Sequence, residues 1–132
     1  MIGLDSDVLL RVLISDDAPQ AARARRLIEA ECAGARRAYV NRGVLLEALW
    51  TLASGYRYSR AQLADAVEVM LSSPELVIED GTAVAEALDL FRRTRADFAD
   101  LLIGVTNRRA GCATTYTFDR AAAEAGEFTA VA

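Results

Sequence analysis

Apolar positions along this chain fall into short runs separated by stretches of helical spacing. Residues 1–4 form a brief apolar run that predicts a strand, and the apolar stretch at 8–14 predicts the start of a helix almost at once. Asp16-Asp17-Ala18-Pro19 supplies an N-cap and an early proline for a helix over 19–32. Ala38–Val40 predicts a second strand. In Arg42–Ser54, Val44, Leu45, Ala48, Leu49 and Leu52 recur at helical spacing, with Gly55 as the stop. Ser59-Arg60-Ala61-Gln62 has the form of a capping box and opens a helix to about Ser72. Leu76–Ile78 predicts a third strand. Residues 82–94 set Val84, Ala87, Leu88 and Phe91 on one helical face, and Asp97 can cap a helix to about Ala110 that Gly111 ends. The Thr- and Tyr-rich stretch 113–118 predicts a fourth strand and 128–131 a short fifth.

Strands alternating with helices imply an α/β fold with a central, mostly parallel sheet of about four to five strands flanked by helices. A chain of 132 residues is expected to form a single domain over 1–132. At that size about two-thirds of the unfolded surface is buried. There is no repeat, low-complexity tract or linker. No apolar stretch approaches the ~20 residues of a membrane span. The N-terminus lacks the basic region, apolar core and cleavage site of a signal peptide, so a cytoplasmic location is expected.

Composition then removes whole classes of chemistry. With no histidine, a Ser-His-Asp triad, a Cys-His pair and a histidine-ligated zinc site are all excluded. Cys32 and Cys112 lie apart with no CxxC spacing and are expected to be two small buried thiols. The net charge is −4, and all 15 basic residues are arginines. The acidic total makes the molecule as a whole no magnet for nucleic acid. Each arginine nevertheless carries a planar fork able to grip a phosphate through two hydrogen bonds.

Four acids stand at the edges of apolar runs: Asp5 after Ile2-Gly3-Leu4, Glu47 after Val44-Leu45-Leu46, Asp100 before Leu101-Leu102-Ile103, and Asp119 after Tyr116-Thr117-Phe118. In parallel sheets, ligands bind outside the carboxyl ends of the strands. Asp5 and Asp119 each lie just past such an end, and Glu47 and Asp100 lie near the starts of helices. Carboxylates brought together repel, by about 4 kcal/mol for a pair at ~4 Å and an effective dielectric of 20. Such a cluster either holds protons or binds a hard cation that prefers oxygen. Structural alternatives stay open at each position. Asp5 or Ser6 can cap a helix, Asp97 and Asp100 are spaced as N-cap and N3, Asp119 can form a turn, and Glu47 can reach solvent from the rim of its stripe. Thr117 can add a hydroxyl beside Asp119.

Taken together, these motifs resemble the PIN-domain family, and within it the VapC-type toxins of bacterial toxin–antitoxin pairs. The opening Ile2-Gly3-Leu4-Asp5-Ser6-Asp7-Val8-Leu9 looks like that family's first motif, with Ser6-Asp7 where the family has Thr-Asn. Val44-Leu45-Leu46-Glu47-Ala48-Leu49-Trp50, Asp97-Phe98-Ala99-Asp100-Leu101-Leu102-Ile103, and Ala110-Gly111-Cys112 followed by Thr117-Phe118-Asp119-Arg120 look like the second, third and fourth.

The resemblance implies a PIN-like α/β/α sandwich and a Mg²⁺- or Mn²⁺-dependent endoribonuclease. Asp5, Glu47, Asp100 and Asp119 would be its catalytic and metal-holding acids, and Asp7, Asp97, Ser6 and Thr117 accessory groups. A metal-bound water would be the nucleophile. Arg11, Arg42, Arg108, Arg109 and Arg120, near the acidic motifs in sequence, are candidates for the RNA backbone. The partners implied are an RNA substrate, a small VapB-like antitoxin and a second copy of the chain, with the Tyr56/Tyr58 region and the helix over 59–72 as candidate apolar surfaces. Two alternatives compete. One is a catalytically weak member that binds RNA or antitoxin. The other is an aspartate-nucleophile phosphatase, whose first motif Asp5-Ser6-Asp7-Val8 matches but whose downstream lysine has no counterpart.

Overall fold

The computed structural model describes residues 1–14 and 17–132, which divide into two compact units, 1–79 and 80–132. The N-terminal unit runs β1 (Ile2–Gly3), α1 (Ser6–Leu13), α2 (Ala18–Glu31), β2 (Ala38–Val40), α3 (Arg42–Ser54), α4 (Arg60–Ser72) and β3 (Leu76–Ile78). Its three strands form one parallel sheet in the order β1-β2-β3. Ile2 stands opposite Ala38, and Ala38 and Val40 stand opposite Leu76 and Ile78. Parallel neighbours need long crossovers, and each here is a pair of helices. β2, the middle strand, buries Ala38 and Val40 completely.

Helix boundaries in this unit follow their caps. Asp5 accepts from the Val8 N–H and starts α1 at Ser6, two residues earlier than the apolar periodicity at 8–14 predicts. Asp17 caps α2 through the Gln20 N–H, while the expected contribution of Asp16 lies outside the described residues. Asn41 caps α3 through Val44 N–H, and both halves of the Ser59/Gln62 capping box are formed. Leu9, Leu45, Leu52, Val67 and Met70 are fully buried. Burial of each such side chain contributes on the order of 1.5–3 kcal/mol. α1 packs on α2 and α3, and α4 packs on β3.

The C-terminal unit runs α5 (Gly81–Arg93), α6 (Phe98–Arg109), β4 (Thr115–Thr117), α7 (Arg120–Glu124) and β5 (Phe128–Ala130). α5 packs against α6, and Phe91 meets Phe98 edge to face at 5.7 Å and 82°. β4 and β5 pair in parallel, Thr115 opposite Phe128 and Thr117 opposite Ala130. Gly104 of α6 lets Phe128 approach: a Cβ there would lie 2.7 Å from a Phe128 ring carbon. Arg108 ion-pairs with Glu86 of α5 and, at 3.2 Å, with Glu127, joining both helices to the segment before β5. α7 is an element that the apolar pattern does not predict, because its five residues are mostly alanine.

The strand pairings are parallel throughout, with helices between strands, so the chain is an α/β protein of the expected class. Two local expectations are corrected. Cys112 is exposed, not buried, because it follows the Gly111 turn at the end of α6. Cys32 is buried as expected, and both thiols are free. Asp97 occupies the N-cap position of α6 without a side-chain cap bond. Among the described residues, no helix is long and apolar enough to cross a membrane.

Candidate active site

In the N-terminal unit, the chain leaves β1 through buried Leu4 and turns at once into α1. Asp5 is exposed at that turn, and its cap bond to Val8, at 3.1 Å, engages Oδ1. Ser6 then donates from Oγ to Glu47 Oε1 at 2.7 Å, across 41 residues of sequence. The first and second acidic motifs thus meet through a hydroxyl. Glu47 is exposed on α3, and the Ser6 bond fixes one of its oxygens while leaving the carboxylate at the surface.

Asp7 faces a different setting. It lines a groove between α1 and α2 with Val8, Arg11, Gln20, Arg23, Ala24 and Leu27. The extra negative charge that Asp7 introduces therefore has two guanidinium-bearing residues along the same groove. Arg11 is itself held by Gln20 Oε1 at 2.8 Å and the Tyr56 hydroxyl at 3.4 Å. Arg42 gives its backbone N–H to Glu79 Oε1 at 2.8 Å and its guanidinium to Glu79 Oε2 at 3.3 Å.

In the C-terminal unit, three acids come together around the start of α6. Asp100 sits in the first turn, partly buried beside Leu101 and Leu102. Burial pushes its carboxyl above the ordinary 3.8, and the nearby Asp97 and Asp119 carboxylates and a hydrogen bond with Asp119 push the same way. Asp119 is the N-cap of α7, with Oδ1 accepting from Ala121 N–H at 2.9 Å and Ala122 N–H at 3.4 Å. Thr117 Oγ1 accepts the Asp119 N–H at 2.9 Å and so fixes the turn that presents it. Of the arginines near these motifs, Arg108 and Arg109 are engaged by Glu86, and Arg108 also by Glu127. Arg120 is exposed directly after Asp119.

Two partnerships lie beyond what the apolar pattern predicts. The Ser6–Glu47 bond joins positions that no local rule connects. The capping role of Asp119 did have a signal, since an aspartate before Arg-Ala-Ala-Ala-Glu is an N-cap before a helix-favouring run.

The donor chemistry suits a hard cation. Asp5, Glu47, Asp100 and Asp119 offer oxygen alone, the ligand that Mg²⁺ and Mn²⁺ prefer. Asp100 has its proton affinity raised first by burial and then by the like charges of Asp97 and Asp119, and a divalent cation would relieve that repulsion. Among the described residues, no group of three or more acids or thiols is drawn in tightly enough to cage an ion by itself.

Comparison with known proteins gives a family. The PIN domain model matches residues 2–127. A curated protein described as "VapC ribonuclease", from Aquifex aeolicus (strain VF5), is 25% identical over 117 residues, spanning 89% of this chain and 86% of that protein.

Proposed function

This chain belongs to the PIN-domain family, and we propose that it is a cytoplasmic, Mg²⁺- or Mn²⁺-dependent endoribonuclease, the toxin of a toxin–antitoxin pair. The observation that carries this reading is the Asp97/Asp100/Asp119 group. Like charges gather there around a partly buried carboxyl, an arrangement unfavourable for folding and useful for holding a cation. The likeness to a VapC ribonuclease, over 89% of this chain and 86% of that protein, supports RNA as the substrate and a small VapB-like antitoxin as a partner. A homodimer is part of the same proposal, and residues 1–132 act as one nuclease domain.

The proposed roles follow the local geometry. Asp100 and Asp119 would hold the cation, with Asp97 adding negative potential. Asp5 and Glu47 are the acids of the first two motifs, and Ser6 orients Glu47 by fixing Oε1. When bound, the cation supplies a nucleophilic water at neutral pH and offsets charge growing on the scissile phosphate. Thr117 holds the backbone that sets Asp119 in position. Arg120, exposed beside Asp119, is the arginine best placed to meet the RNA backbone, since Arg108 and Arg109 are occupied within their own unit. Family membership sets aside the aspartate-nucleophile phosphatase.

The test is incubation of the purified, antitoxin-free chain with total RNA, with and without Mg²⁺ or Mn²⁺, beside Asp5→Ala and Asp100→Ala. Metal-dependent cleavage that both substitutions abolish is expected. Absence of cleavage by folded parent protein would favour the binding-only alternative, and cleavage undiminished in Asp5→Ala would overturn the site assignment.

A further inference from the structure

The groove between α1 and α2 carries charges that the acidic motifs do not use. Its volume is about 420 Å³, enough for a group the size of a nucleotide. The guanidiniums of Arg11 and Arg23 and the carboxylate of Asp7 line this one space. Arg11 is half-buried and held by Gln20 Oε1 at 2.8 Å and the Tyr56 hydroxyl at 3.4 Å, so its charge is fixed in place. Arg23 and Asp7 are exposed, and among the described residues neither side chain makes an ion pair or a hydrogen bond. Arg42, Arg93, Arg108 and Arg109, by contrast, are each engaged by a carboxylate. Gln20, Arg23, Ala24 and Leu27 follow helical spacing, so one face of α2 forms its side of the groove. Arg25 is exposed and, among the described residues, equally without a partner, but it lies about 200° round α2 from Arg23. The groove begins beside the first acidic motif. Asp7 is two residues past Asp5, and Arg11 stands about 9 Å farther along α1 than Asp5 at the helical rise per residue.

We propose that this groove takes the phosphate backbone of the RNA away from the scissile bond, that Arg11 and Arg23 grip it there, and that Asp7 weakens the grip. The inference rests on the ribonuclease reading above and adds to it a second contact surface for the same substrate. The argument is one of charge complementarity. A guanidinium with no carboxylate partner presents its whole planar fork to a phosphate. A guanidinium already fixed by Gln20 and Tyr56 loses little freedom when a ligand arrives. Two cations against one carboxylate leave the groove positive in balance, although the chain as a whole carries −4. Phosphate contacts fix the register of a nucleic acid and carry no sequence information. The groove therefore sets where the RNA lies relative to Asp5 and not which base is read. Asp7 gains a role in this arrangement: its charge lies among arginines, where it offsets one guanidinium and repels the phosphate.

The experiment uses full-length protein carrying Asp100→Asn to suppress cleavage, and measures its affinity for a single-stranded oligoribonucleotide from about 50 to 200 mM salt. Arg23→Gln is expected to weaken binding about 2- to 5-fold, the range of one exposed charge pair, with the melting temperature unchanged. It should also make the slope of log affinity against log salt shallower by about 0.7, the change for one lost phosphate contact to a single strand. Arg25→Gln, the same charge change on the other side of α2, should keep the slope of the parent. Asp7→Asn should tighten binding. Equal losses in Arg23→Gln and Arg25→Gln would mean that only net charge matters, and would overturn the proposal. Weaker binding by Asp7→Asn overturns it as well. If Arg23→Gln leaves RNA binding untouched and instead lowers the oligomeric mass, the groove takes protein and the proposal fails. Failure of the ribonuclease reading itself has a different signature and takes the proposal with it: the RNA binds to neither parent nor variants, and the Asp100-intact parent does not cleave.

Discussion

The two units handle their acids in opposite ways. In the N-terminal unit, Glu47 is met by a donor, the Ser6 hydroxyl at 2.7 Å, and Asp5 is met by a backbone N–H. In the C-terminal unit, Asp100 is met by other acids, Asp97 and Asp119, in a partly buried position. A carboxylate satisfied by neutral donors is a positioned ligand at little electrostatic cost. A carboxyl crowded by like charges stores repulsion that only a proton or a cation removes. The C-terminal group should therefore respond most to metal and pH, while the Ser6–Glu47 bond should mainly govern orientation.

The largest expected effect lies at Asp100. Asp100→Asn keeps the size and polarity of the side chain and removes its charge. Cleavage should fall on the order of a thousandfold, corresponding to the several kcal/mol of charge stabilisation that a held cation supplies. Single-turnover cleavage at saturating Mn²⁺ reads this directly, and a loss below tenfold would show that the C-terminal group is not the principal metal site. In the parent, Mn²⁺ should also raise the melting temperature, by linkage to the folded state, and this gain should vanish in Asp100→Asn.

Ser6→Ala should be milder. It removes one orienting hydrogen bond and leaves the Glu47 carboxylate exposed and hydrated, so cleavage should drop about tenfold, at the low end of what loss of a supporting contact to a metal ligand produces. The fold should be nearly unaffected because the bond lies at the surface. A loss as large as that of Asp100→Asn would abolish the distinction between the two units.

Asp119 separates charge from capping. Asp119→Ala removes both the negative charge and the bonds to Ala121 and Ala122 N–H, whereas Asp119→Asn keeps an oxygen to accept them. Thermal unfolding should show Asp119→Ala less stable than Asp119→Asn by about 1 kcal/mol, a usual N-cap difference. Both should lose metal-dependent cleavage. Equal stability of the two variants would mean that α7 does not depend on its cap.

Much of this was legible in the residues. Ala38–Val40, Arg42–Ser54 and Leu76–Ile78 fall where the pattern sets them, because period and punctuation agree there: Asn41 before α3, Gly55 after it, and turn residues around the strands. The start of α1 was displaced because the cap at Asp5, and not the first apolar residue, fixes it. α7 went unpredicted because alanines carry no amphipathic stripe, and Cys112 was misassigned because its position after a positive-φ Gly111 outweighs the usual burial of a thiol. The acids themselves were legible from their places at the edges of apolar runs. Their partners were not, since Ser6 and Glu47 are separated by 41 residues and meet only through the pairing of β1 with β2 and the packing of α1 on α3.

The smallest effect is the one that tests the comparison at its root. Asp100 has a folded pKa above the ordinary 3.8, so between those two values the folded state binds more protons than the unfolded chain. Stability from this group must then fall as pH rises through that window and stay level above it. Asp100→Asn abolishes this contribution. Without divalent cation, the variant should be the more stable protein at neutral pH, and its advantage should shrink as pH is lowered toward and below 3.8, where the parent carboxyl is protonated in both states. The quantity to follow is the difference in melting temperature between variant and parent across pH, since carboxylates common to both cancel. A difference that grows on acidification would mean that Asp100 is stabilised as the anion, and that the C-terminal unit satisfies its acid just as the N-terminal unit satisfies Glu47.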